Sequence, residues 1–173
     1  LSFEVVKAHL KGNDPLCRDV IAIYPMCENN TTWLLAADFD EENWLADVAA
    51  FRKCCTALGL TPAVERSRSG NGAHVWFFFS EPVSAADARR LGSGLLTRTM
   101  AYRHELSFAL YDRLFPAQDT VPKGGFGNLI ALPFQGQAQK ARNTLFVDEQ
   151  CVPYPDQWAF FSTLPDCVLG GRT

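Results

Sequence analysis

Residues 33–44 read WLLAADFDEENW, and the way this stretch ends decides how the chain is read. An apolar run closes on Asp38-Phe39-Asp40. Successive side chains of a β-strand point to opposite faces, so Asp38 and Asp40 share one face and Phe39 takes the other. Two carboxylates held that close repel unless a cation lies between them or one takes a proton. A hard divalent ion such as Mg2+ suits the pair, and it keeps phosphate oxygens as further ligands. A plainer role also fits. An Asp at a strand end often makes a turn, and Asp40 is placed to cap a helix that begins near Asn43.

Outward from this stretch, residues 43–58 carry Trp44, Leu45, Val48, Phe51 and Leu58 at helical spacing, with Gly59 as the stop. A strand is expected over 63–68, followed by the turn Ser-Gly-Asn-Gly-Ala-His at 69–74 and a strand over 73–79. Alternation on that strand sets His74, Trp76 and Phe78 on one face and Val75, Phe77 and Phe79 on the other. A turn containing Gly70 and Gly72 lets backbone N–H groups face an anion. His74 follows it directly, although a His at a strand start also serves plain structural ends. Ser84, with Asp87 three residues on, opens a second helix that runs to about Met100. Residues 102–127 are loop-rich, and 128–134 predict the fourth strand. Residues 3–10 predict a short helix, 20–24 and 144–147 short strands, and 156–164 a short helix. Residues 1–31 form an N-terminal appendage, and 32–173 form the core.

The core order is therefore β-α-β-β-α-β. This is the α+β, RRM-like (ferredoxin-like) arrangement, with both helices on one face and the first and third strands adjacent. Asp38, Asp40 and His74 then come from neighbouring central strands. Trp33, Leu35, Ala37 and Phe39 pack toward the helices, and the acidic face is expected to look out from an open sheet.

Composition narrows the partners. With 173 residues and 47% apolar content the chain can bury a substantial core. A net charge of −3 argues against a broad basic surface, so any nucleic-acid contact is local, through residues such as Arg66, Arg68, Arg89, Arg90, Arg98, Arg103 and Arg113. The six cysteines, Cys17, Cys27, Cys54, Cys55, Cys151 and Cys167, form no C-x-x-C pair. They are expected as free thiols in a reducing cytoplasm. No apolar run reaches transmembrane length and no secretory leader pattern is present, so no membrane partner is expected. A first residue of Leu rather than Met suggests a piece of a longer protein.

The runs IYPMCENNTTWLLAADFDEENW, ERSRSGNGAHVWFFFSEPV, YDRLFPAQDTVPKGGFGNLIALPFQ and YPDQWAFFS together resemble the archaeo-eukaryotic primase superfamily. Within it they resemble most the primase-polymerase domain of TOTE conflict systems, which is similar to the CRISPR-associated primase-polymerases. The resemblance implies a template-dependent nucleotidyltransferase using two Mg2+ or Mn2+ ions. Asp38, Asp40 and Asp112 would hold the ions, with Asp119 the rival for the third place. It implies a nucleotide site at Arg68, Ser69, Gly70, Gly72, His74 and Lys123, with Lys140 and Arg142 as further basic candidates. The implied partners are a DNA template and primer and a dNTP or NTP, with helicase or nuclease domains elsewhere in the full-length protein. The Cys-rich segment often found upstream in such proteins is missing from this chain. Two other functions stay open on the residues. One is a non-catalytic RRM-like module that binds single-stranded nucleic acid through Trp76 and Phe78. The other is a metal nuclease or a nucleotidyltransferase of another fold, disfavoured because the glycine turn follows the acidic pair.

Overall fold

The apolar run before Asp38 is the central strand of the molecule. The computed structural model describes residues 2–16, 18–104, 106, 113–165 and 167. The elements run α1 (Phe3–Lys11), β1 (Ala22–Ile23), β2 (Thr31–Phe39), α2 (Trp44–Ala57), β3 (Ala63–Arg66), β4 (Ala73–Ser84), α3 (Ala85–Met100), β5 (Leu114–Phe115), β6 (Ile130–Ala131), α4 (Gly136–Gln139) and α5 (Gln157–Ser162). The main sheet has the order β3-β4-β2-β5, with every neighbouring pair antiparallel. The first and third core strands, β2 and β4, lie side by side in its middle, as the element order requires.

Alternation on the strands builds two cores. Leu35, Ala37 and Phe39 of β2 and Val75, Phe77 and Phe79 of β4 pack with Val48, Phe51 and Cys55 of α2 and with Ala88, Leu95 and Leu96 of α3. The helices start as their residues dictate. Ser84 Oγ accepts the Asp87 N–H at 3.0 Å and donates to Asp87 Oδ2 at 2.6 Å, which closes the capping box. Helix α2 begins after Asn43, whose side chain makes no cap bond, so Asp40 is not used as a cap.

Three expectations are corrected. First, among the described residues the sheet face away from α2 and α3 is covered except at its Asp38 end. Leu34, Ala36 and Trp76 on the side away from α2 and α3 are buried with Ile130, Phe134 and Phe146. Trp76 is 1% exposed, and Phe78 lies against Phe161 at 5.6 Å between ring centroids. Of the two aromatics on which a non-catalytic nucleic-acid module would rely, Trp76 is therefore covered and Phe78 is partly so. Second, residues 128–134 are not the fourth strand of this sheet. That place belongs to β5, where Leu114 pairs with Ala37 and Phe115 with Ala36. Strand β6 instead pairs with β1 in a separate two-stranded sheet. The Asn128 side chain holds the segment there, donating to Leu114 O and accepting from Ala117 N–H. Third, Trp33 is half exposed rather than packed on the helices, because a register shift between Thr32 and Leu34 turns it outward. Residues 144–147 run along the outer edge of β3 through Thr144 N–H to Arg66 O, Arg66 N–H to Leu145 O and Val147 N–H to Val64 O.

The N-terminal residues are tied to the rest by His9. Its Nδ1 accepts the Ile21 N–H at 3.0 Å, so the proton sits on Nε2, which donates to Pro133 O at 2.8 Å. His9 is buried, and removing it leaves a buried N–H and a buried C=O without partners. His9→Ala should cost about 2 kcal/mol or more, read as a lower denaturant midpoint with an unchanged slope. An unchanged midpoint would show that α1 is only loosely attached.

The described cysteines, Cys27, Cys54, Cys55, Cys151 and Cys167, are free thiols. Burial, reinforced by neighbouring Cys54, pushes the Cys55 thiol up to about 12. The thiolate is the reactive form. Native-state alkylation at pH 8 should therefore modify partly exposed Cys27 well before Cys55, with Cys55 labelled only after unfolding. Peptide mass mapping showing equal rates would contradict this. Among the described residues no helix is long and apolar enough to cross a membrane.

Candidate active site

The site is built by strand register. Asp38 of β2 pairs with His74 of β4, and His74 pairs with Glu65 of β3. One row across three strands thus carries Asp38, His74 and Glu65. Asp40 continues the Asp38 face just past the end of β2. The Asp38 side chain is 21% exposed and that of Asp40 41%, so the pair opens to solvent at one end of the sheet.

Both carboxylates face a cation supplied by the chain. Arg113 Nη1 is hydrogen-bonded to Asp40 Oδ2 and lies 3.7 Å from Asp38 Oδ2. The chain itself thus sets a positive group against both acids, and this guanidinium relieves the repulsion between them. Hard carboxylate oxygens suit such an ion. Among the described residues no cluster of three metal-ligating side chains forms. Asp112 lies outside the described residues. Asp119 is engaged elsewhere, in an ion pair with Arg89 of α3 at 2.6 Å.

Burial raises the pKa of Asp38. The charge of His74 works against that rise, Asp40 adds to it, and Arg113 again opposes it. For His74, burial disfavours the imidazolium. The hydrogen bond and charge of Glu65, with the charges of Asp38 and Asp40, outweigh burial and raise its pKa.

The glycine turn packs directly on the acidic strand end. Its hairpin closes through Ser67 N–H to Gly72 O at 2.9 Å. Gly70 adopts φ +79°, a conformation that side chains disfavour. A Cβ on Gly72 would lie 2.6 Å from Phe39 O and 3.1 Å from Asp40 Cα, so only glycine lets the turn approach the pair. The Gly70 N–H bonds Ser67 O and the Asn71 N–H bonds Ser69 Oγ, so these two donors serve the turn itself. Arg68 is exposed beside them, and its carbonyl accepts from Asn143 Nδ2. Lys123 is exposed on the loop after Pro122, and no ion pair joins it to the acidic pair. The structure thus gathers Asp38, Asp40, Ser69, Gly70, Gly72 and His74 at one end of the sheet.

Two further residues belong to the site. Glu65 is almost fully buried, and its Oε2 lies 3.1 Å from His74 Nδ1 and accepts from Trp76 Nε1 at 2.9 Å. A count outward from the turn finds it: Ser67 meets Gly72, Arg66 meets Ala73, and Glu65 meets His74. Arg113 carries no comparable sequence signal, because the register of the two-residue strand β5 brings it across.

A search of curated proteins yields no significant match. Among solved structures, the chain is similar to the polymerase domain of Mycobacterium tuberculosis ligase D in complex with DNA, at 21% identity and a TM-score of 0.44. The match covers 77% of this chain and 46% of that one, so the chain spans less than half the length of that structure. The family model described as the TOTE conflict system, Archaeo-Eukaryotic Primase domain, matches residues 1–167. With an acidic strand end, a glycine turn against it and a histidine in register between them, the chain belongs to the archaeo-eukaryotic primase domains of TOTE conflict systems.

Proposed function

We propose that this domain is a template-dependent nucleotidyltransferase, a DNA primase-polymerase that adds a dNTP or NTP to a primer 3′-hydroxyl. The observation that carries the reading is the Asp38/Asp40 pair, facing a cation and set in register with His74 at the glycine turn. In the reaction a bond forms between the 3′-oxygen and the α-phosphorus. The bond from the α-phosphorus to the bridging oxygen breaks, pyrophosphate leaves, and the 3′-hydroxyl proton passes to solvent. Two Mg2+ or Mn2+ ions held by Asp38, Asp40 and Asp112 would supply positive charge to the attacking and leaving oxygens.

The remaining roles belong to the chain. As an imidazolium, the form that Glu65, Asp38 and Asp40 favour, His74 keeps Nδ1–H on Glu65 and donates its Nε2–H to an oxygen of the incoming triphosphate. The Ser69 hydroxyl and the backbone at Gly70 and Gly72 border the phosphates, while Arg68 and Lys123 offset phosphate charge. Arg113 moderates the repulsion within the acidic pair. Helicase or nuclease domains elsewhere in a longer protein would present the template.

Single-nucleotide addition on four primer-templates, differing only in the first unpaired template base, tests this reading. The labelled primer should grow by one residue only with the complementary nucleotide and only with Mg2+ or Mn2+ present. No addition with any nucleotide, or addition indifferent to the template base, would overturn it.

A further inference from the structure

We infer that Glu65 is the residue that positions His74, holding its Nδ1–H so that the Nε2 edge is turned toward the Asp38 end of the site. The inference rests on the proposed reading only for what His74 then touches, the incoming triphosphate.

A glutamate 1% exposed on the outermost strand of a sheet is rare, because a carboxylate is costly to bury unless it is paired and hydrogen-bonded. Glu65 meets that requirement with two ring N–H groups converging on one oxygen, from Trp76 and His74. An ionised carboxylate only accepts, so the proton of the shared hydrogen bond belongs to His74 Nδ1. The other ring nitrogen, Nε2, lies 3.7 Å from Asp38 Oδ1. That separation exceeds a good hydrogen bond, so Nε2 remains available to an oxygen entering between the strands.

The clamp is rigid from behind. Trp76 is buried and stacked on Phe78, at 6.1 Å between centroids and 3° between planes. The His74 ring stands edge-on to Trp76 at 5.9 Å and 84°. The Trp76 N–H fixes the carboxylate, and the carboxylate and indole together fix the imidazole. The outer edge of β3 is closed where Glu65 bridges to Phe146, so water does not reach the carboxylate from that side. A histidine needed only for packing requires none of this. An acid behind an imidazole that holds its Nδ1–H and its orientation is the arrangement used wherever the far nitrogen must be aimed at a ligand.

The test uses the intact domain and two kinds of readout. In the wild-type protein, 15N spectra of the imidazole should show His74 protonated at Nδ1. A neutral ring with its proton on Nε2 alone would overturn the inference, whether or not the protein adds nucleotides. Glu65→Leu removes the acceptor, and the KM for the incoming nucleotide should rise about 10-fold or more, the range seen when an orienting partner is lost. The kcat at saturating nucleotide and the affinity for primer-template should change less. Glu65→Gln keeps an acceptor oxygen and should restore KM toward wild type. An unchanged KM in Glu65→Leu, or losses in both variants confined to kcat, would assign Glu65 to folding alone. Should Glu65→Leu fail to fold, the wild-type spectrum decides. A wild-type protein without any nucleotide addition refutes the proposed function and leaves the spectral result standing.

Discussion

Asp38→Asn should abolish nucleotide addition while leaving the domain folded. Asp38 sits on the half-buried side of the acidic pair, where burial raises its pKa. Sign matters here. A carboxyl raised above its unfolded value stabilises the fold below the unfolded pKa, and this contribution is lost as pH rises through the folded value. At neutral pH the charged form is therefore the one the fold disfavours. Asparagine keeps the shape without the charge, so the melting temperature should hold or rise. Chemistry should respond oppositely. Losing several kcal/mol of charge stabilisation at the transition state corresponds to a rate loss on the order of 10³-fold. Circular dichroism melts beside rapid-quench extension measure both quantities. A variant that melts normally and still extends primers near the wild-type rate would remove Asp38 from the catalytic group.

Gly72→Ala should damage the site through the backbone, with no chemical group removed. The added Cβ meets Phe39 O at 2.6 Å and Asp40 Cα at 3.1 Å, and both neighbours are main-chain atoms that cannot turn aside. Either the glycine turn lifts away or the end of β2 shifts. Overpacking of this kind costs about 1–3 kcal/mol. Misplacing a reacting group by about 1 Å costs on the order of 10²-fold in rate. The variant should thus lose both stability and activity, whereas Gly59→Ala, where a Cβ meets open space, should lose stability through its positive φ but keep its activity. Equal behaviour of the two variants would mean that the turn does not bear on Asp40.

Much of this arrangement is legible in the residues. Strands β2 and β3 and helices α2 and α3 announce themselves by period and stop, such as Gly59 or the Ser84 cap, whereas β4, expected over 73–79, runs on through Pro82 to Ser84 because Thr31 and Thr32 of β2 pair with Ser84 and Val83. Asp38, Asp40 and His74 follow from alternation and adjacency of the middle strands. Strand β5 is not legible, since two residues, Leu114 and Phe115, cannot display a period. Residues 128–134 mislead for a related reason. Ile130 and Phe134 are apolar because they fill the second core, and burial does not say which strand a segment pairs with. The same core explains the covered face, because alternation shows that Trp76 points away from the helices but not what covers it. Glu65 is recoverable by counting out from the turn, whereas Arg113 depends on tertiary placement across 73 residues of chain.

The central claim is that the Asp38/Asp40 end of the sheet performs metal-dependent, templated nucleotidyl transfer. Its most direct measurement is pyrophosphate release coupled to primer growth, in one reaction, with the purified domain, a primer-template and the complementary nucleotide. One pyrophosphate should appear per nucleotide added. Both signals should vanish on chelation, return with Mn2+, and be absent in the Asp38→Asn, Asp40→Asn double variant. Primer growth that survives chelation, or persists in the double variant, would contradict the account.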